Sequence, residues 1–251
     1  GNAFKICKGF SVGLNVSYLF GTLFSTSNTE FNENTILNSY INDAYLIDGV
    51  YLEGGLQYFF NIGEKHKIGL GAVYSNTAYI WAREKLLINS YSGGFVSTST
   101  YDTVLYKDDL RGTLNIPQSV GAGLSYTFKD KLTVAADVTW QNWASFKFMK
   151  PCDSLQNTVN ASIGARYIPD PSSNKFFKKM AFRLGGRYSS GELLLRNKPI
   201  SEFGVCLGIG VPLTSFNTHS SLNILFEYGK KGTLANDLIR QDYFRFSFCF
   251  T

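Results

Sequence analysis

The residues of this chain that could do chemistry are few, and their spacing gives them little to do together. His66 sits in the polar segment NIGEKH and His219 in NTHS. Neither has a serine, cysteine or carboxylate nearby in a pattern that builds a nucleophile with its base. No GxSxG, HExxH, P-loop or GxGxxG arrangement occurs, and the glycines of GAGL and LGIG alternate as strand glycines do rather than opening a helix. Cys7, Cys152, Cys206 and Cys249 are far apart without CxxC spacing, which fits neither a zinc site nor a dense disulfide framework. The sequence therefore reads as no enzyme and implies no metal and no cofactor. What remains is a set of isolated ions, Glu53, Asp137, Arg166, Arg183, Arg187, Glu227 and Arg245, each among glycine, serine, threonine or asparagine. Charges so placed either pair across neighbouring strands, Asp137 with Arg166 and Arg183 and Glu227 with Arg245, or are ordinary solvated side chains.

The elements that would position them are strands. In the last eleven residues, QDYFRFSFCFT, Phe244, Phe246, Phe248 and Phe250 alternate with Arg245, Ser247 and Cys249. Side chains of a strand point alternately to opposite faces, so one face is wholly aromatic and the other small or polar. The same period of two recurs at Gly9–Gly21, 45–60, 67–82, 119–128, 132–143, 157–168, 181–191, 202–211 and 221–229. That is about ten strands, most of them longer than the five or six residues usual in globular proteins. Residues 22–44 and 83–117 are expected to be long loops, separated by a short turn at 61–66 and followed by a very short one at 129–131. The predicted class is all-β.

Two solvents fit such a pattern: a soluble sandwich or calyx burying the apolar face, or an outer-membrane barrel turning it to lipid. No run approaches the ~20 apolar residues of a transmembrane helix, which excludes helical spans only. The chain has 15 Tyr, 21 Phe and 24 Gly with only 17% charged residues, a mixture suited to membrane interfaces and crowded lumens. Aromatic residues gather at strand ends (Tyr18, Phe20, Tyr58, Phe59, Phe60, Tyr126, Phe128, Trp140, Trp143, Tyr167), as interfacial girdles do. Strands of about 9–16 residues match the ~9–11 needed to cross a bilayer on a tilt. The net charge of +5 is spread along the chain, which argues against a nucleic-acid partner. These features favour an antiparallel transmembrane β-barrel.

The segment NIPQSVGAGLSYTFKDKLTVAADVTWQNWASF (115–146), with its Pro117 lead-in, KDKL turn, Asp137 and Trp143, resembles the FadL/TodX family of outer-membrane hydrophobic-compound transporters. The ending IRQDYFRFSF resembles members from the Bacteroidetes group. The resemblance implies a fourteen-stranded barrel with an N-terminal hatch, of which the ten strands here are the fifth to fourteenth. Hatch, signal peptide and four strands would then precede this single barrel domain. A self-contained ten-stranded barrel, closed by pairing Gly9–Gly21 with the last strand, is the competing arrangement. The function implied is passive uptake of apolar molecules such as fatty acids through the lumen and a lateral opening in the wall, with outer-membrane lipid as surroundings. Ligand capture would fall to the outer loops, through Phe24, Phe31, Ile36, Leu37, Tyr40, Leu87, Ile88, Tyr91, Phe95 and Tyr101, unless these side chains simply pack loop on loop. Related barrels also serve as accessory or scaffold subunits of outer-membrane secretion or assembly complexes, which is the alternative role.

Overall fold

Alternation with a period of two is the pattern that the structure realises. The computed structural model describes residues 1–32, 36–92, 101–151, 154–171, 173, 175–215 and 218–250. Its strands are β1 (Asn2–Cys7), β2 (Phe10–Thr29), β3 (Asn38–Ile62), β4 (His66–Ser75), β5 (Ala78–Tyr91), β6 (Tyr101–Ile116), β7 (Ser119–Phe128), β8 (Leu132–Gln141) and the two-residue β9 (Lys147–Phe148) and β10 (Lys150–Pro151). They continue with β11 (Thr158–Tyr167), β12 (Ala181–Ser189), the short pair β13 (Leu194–Leu195) and β14 (Lys198–Pro199), then β15 (Glu202–Ser215), β16 (Thr218–Gly232) and β17 (Arg240–Phe250). The one α-helical turn, α1 (Phe176–Lys179), and two 3₁₀ turns complete the described residues.

All strands but β13 and β14 join one antiparallel sheet, in which β1 pairs with β2, β2 with β3, and β4, β7, β8, β11, β12, β15, β16 and β17 follow in order. Each of the ten segments with period-two alternation lies in this wall. The whole sheet keeps one face. Phe246 pairs with Phe226, Phe226 with Leu207, Leu207 with Leu184 and Leu184 with Ala165. The opposite face carries the glycines and polar residues. Phe244, Phe246, Phe248 and Phe250 are between 66% and 74% exposed, so their face has no protein cover. A wall that is apolar outside and polar inside is what a barrel in lipid requires.

Four expectations change. Residues 22–44 are mostly strand: β2 and β3 run on in unbroken register from Phe10↔Tyr58 to Thr29↔Ser39. Residues 83–117 are likewise the hairpin β5–β6. The segment 67–82 is two strands, with β4 on the Glu53–Ile62 part of β3 and β5 on its Asn38–Asp48 part. Finally, β1 adds a stave that the sequence did not announce. It turns into β2 at Gly9, whose φ of +87° and approach to the Phe59 carbonyl (2.1 Å from a would-be Cβ) require glycine. β2 is thus flanked by β1 and β3, and β17 pairs with β16, so closure of ten strands through β2 is not the arrangement.

The upper halves of β2 and β3 with β5 and β6 form a tower above the barrel wall. At about 3.3 Å per residue, the 25 residues of β3 far exceed one bilayer crossing. The tower holds the buried apolar side chains Ala78, Ile80 and Ala82. Ile80 seats on Gly49, where an added Cβ would come within 2.6 Å of its Cδ1. The Tyr45 and Phe148 rings meet at 4.6 Å. Burial, then the neighbouring carboxylates of Glu84 and Asp43, push the Tyr45 phenol above its ordinary range.

Candidate functional site: the inner wall and its mouth

Cross-strand register places the polar residues of the inner wall in rows. One row runs Gly123, Asp137, Ser162, Arg187, Gly204, Gly229, Tyr243 across seven strands. Glycine makes room on it for larger neighbours. A Cβ at Gly229 would come within 2.3 Å of the Tyr243 ring, and one at Gly204 within 3.0 Å of Glu227 Oε1. Into that space fits a network. Arg187 Nε donates to Glu227 Oε1 at 2.8 Å, and Arg187 Nη2 donates to Glu202 Oε1 and to Tyr243 Oη, both at 2.6 Å. The Tyr243 hydroxyl in turn donates to Glu202 Oε1 at 2.8 Å. Arg245 Nη1 reaches Glu227 Oε2 at 3.4 Å and Lys231 Nζ lies 3.6 Å from Glu202 Oε2. A carboxylate half-withdrawn from water needs such donors, and three cations with a phenol supply them.

Below the network lies a concavity of about 460 Å³, floored by Gly164, Gly185 and Cys206 and edged by Arg166, Arg183 and Glu227. Arg183 Nη1 donates to Asn223 Oδ1 at 2.7 Å rather than to Asp137. Asp137 accepts from Ser162 Oγ at 3.5 Å, so its expected pairing with Arg166 and Arg183 is replaced by a neutral neighbour on the adjoining strand. Glu53 accepts from Asn15 Nδ2 at 3.4 Å, well away on β3. Glu202, Tyr243 and Lys231 were missed in the sequence. Glu202 is the first residue of β15 and its alternating segment, where it looks like a solvated strand end, and Tyr243 looks like one more aromatic until its parity with Arg245 is noticed.

The residues expected to capture ligand are not gathered on one loop. Phe24, Tyr40, Leu87, Ile88 and Tyr91 are strand residues, because the loops in which they were expected are hairpins. The strand register puts Phe24, Tyr40, Leu87 and Tyr91 on the face continuous with the barrel exterior, and Ile88 on the face continuous with its interior. Tyr91 is buried, and its hydroxyl donates to Asn28 Oδ1 at 2.7 Å and Glu30 Oε1 at 3.0 Å. Phe31 N–H donates to Asn38 Oδ1 at 2.8 Å, which closes the tower tip; the Phe31, Ile36 and Leu37 side chains are exposed. Tyr101 pairs with Tyr91 through the backbone, and Phe95 lies outside the described residues. On the tower flank, a hydrogen bond from Arg111 holds the Asp109 carboxyl below the usual carboxylate range.

A polar inner wall inside an apolar, aromatic outer one is the arrangement of an antiparallel transmembrane barrel, and at the level of fold this one is FadL/TodX-like. The P. putida toluene transporter TodX aligns over 99% of this chain and 65% of its own length, with 17% identity and a TM-score of 0.52. The Ralstonia pickettii toluene transporter TbuX aligns over 90% of this chain and 60% of its own, with 15% identity and a TM-score of 0.49. The CymD monoaromatic hydrocarbon channel aligns over 91% and 66%, with 17% identity and a TM-score of 0.48. The chain thus spans roughly two thirds of the length of these solved proteins or less. No curated protein matches its sequence. The family model described as BamG matches residues 1–251, and the chain belongs to that family.

Proposed function

We propose that the chain is the barrel part of an outer-membrane protein through which apolar small molecules, such as fatty acids or aromatic hydrocarbons, pass without energy input. The observation that carries this reading is the continuous register: every stave is apolar outside and polar inside, and TodX shares that wall at the level of fold. In this proposal the 251 residues form one domain, preceded in the whole protein by a hatch and further staves, and Ile88 with the tower tip receives ligand first.

A second reading is favoured by one specific observation, the match over the whole chain to a family other than that of the transporters. In it the barrel is an accessory or scaffold subunit of a larger outer-membrane complex. An inner wall bridged by ion pairs suits a braced support at least as well as a greasy passage. Proteoliposomes of the full-length protein decide between the two when influx of labelled toluene and of a long-chain fatty acid is measured. Saturable influx above that of empty liposomes supports passage. Absence of influx, together with co-purification of a large barrel partner from native membranes, replaces it with the scaffold reading.

A further inference from the structure

The turn end of the barrel carries a charge of its own. The segments 8–9, 63–65, 129–131 and 168–180, described except for 172 and 174, contain seven lysines, three carboxylates and no arginine, a net of +4 in a chain whose total is +5. Among the described residues none of these lysines forms an ion pair, whereas cations on the tower flank, at the mouth and in the adjoining loops do. Backbone bonds lace three of these turns together in a rim: Lys129 N–H donates to the Lys65 carbonyl at 2.8 Å, and Ile168 N–H to that of Lys131 at 2.7 Å. Next to it, Tyr167 and Phe182 are paired on the exterior face and exposed, at the edge of the apolar band.

The longest of these turns adds α1, which with the preceding Lys175 reads Lys175-Phe176-Phe177-Lys178-Lys179. Phe177 is 77% exposed, and its ring meets that of Phe176 edge-on at 5.6 Å. Two uncovered aromatic rings among three cations have the composition of a segment lying at a lipid interface, rings in the acyl boundary and ammonium groups at the phosphates. We propose that this rim, anchored by α1, binds the headgroups of anionic phospholipid in the leaflet at the turn end. Its continuity with the apolar band and its charge choose lipid over a soluble partner. The inference rests on the outer-membrane reading.

The full-length protein is reconstituted in phosphatidylcholine bilayers, and the association of spin-labelled phosphatidylglycerol is compared with that of spin-labelled phosphatidylcholine. Phosphatidylglycerol is expected to be preferred several-fold. The preference should fall in K175Q/K178Q/K179Q, by at most about five-fold per lysine on the scale of polybasic segments. In parallel, Phe177→Trp should be quenched by lipid brominated near the headgroup and Phe246→Trp by lipid brominated in mid-chain. If Phe246→Trp is quenched while Phe177→Trp responds only to aqueous quencher and the lipid preference ignores the lysines, the inference is overturned alone, and an acidic soluble partner becomes the occupant of the rim. If Phe246→Trp is not quenched either, the outer-membrane reading falls and takes the inference with it.

Discussion

The two ends of this barrel treat charge in opposite ways. At the mouth, Arg187, Arg245 and Lys231 are held by Glu202 and Glu227 with Tyr243 between them. At the turn end, lysines stand without ion-pair partners among the described residues, beside exposed aromatic rings. The chemistry of the side chains follows. Arginine, with its fixed fork of donors, dominates the inner network where several acceptors converge; lysine, a hydrated point charge on a flexible stem, fills the rim, where the described carboxylates do not pair with it. One end spends its charges on holding staves together, and the other keeps them available.

Breaking the band that separates the ends should have the largest effect. Phe246→Arg puts a cation on the lipid face in mid-strand and is expected to cost about 2–4 kcal/mol of folding stability, read by urea titration in bilayers. Gly229→Val should cost about 1–3 kcal/mol by driving the Tyr243 ring out of the space it occupies. Loss of the Tyr243–Glu202 bond would appear as a change in near-ultraviolet dichroism. Glu227→Ala leaves two arginines short of an acceptor; Arg187 is 43% exposed, so about 1–2 kcal/mol is expected rather than the larger penalty of a fully buried pair. Removing the rim lysines in K175Q/K178Q/K179Q should change stability by less than about 0.5 kcal/mol, as for surface substitutions generally. A rim variant as damaging as Glu227→Ala would abolish the contrast between the ends.

The smallest effect is local to the tower. Asp109 has its carboxyl held low by Arg111, so the ion pair contributes at any pH above the ordinary carboxylate range. That contribution is lost as pH falls through the lowered value in the folded protein. Amide exchange near the β5–β6 hairpin should therefore quicken in acid while the melting of the whole barrel hardly moves, and Asp109→Asn should remove the pH dependence.

The wall was legible in the sequence because two solvents write a two-letter alternation on every stave. The tower was not, since its β2 half is exposed on both faces and is mostly polar there. In the stretch Ser25-Thr26-Ser27-Asn28-Thr29, strand and polar loop look alike, and only the pairing with Ser39–Asp43 decides. The joint at Asn76-Thr77 escaped because apolar residues resume on both sides of it. In the inner wall, Glu227 and Arg245 meet because they occupy one register row on neighbouring strands. Asp137 does not reach Arg183, because it stands in the register row of Ser162 and Arg187, whereas Arg183 stands in the row of Thr133 and Arg166, four residues along the strands. The role of Tyr243 could not be read from residue type, since the glycine that admits it stands on another strand.

One feature of the tower has a mechanical meaning. β3 runs unbroken through its 25 residues, while its neighbours on one edge are jointed, β4 to β5 at Asn76-Thr77 and β7 to β6 at Pro117-Gln118. A load applied at the tower tip is therefore carried down β2 and β3 as along a mast, and the jointed strands can pivot around it. Displacement of the tip would be delivered to the staves at Phe10–Tyr58, beside β1, and not around the whole circumference.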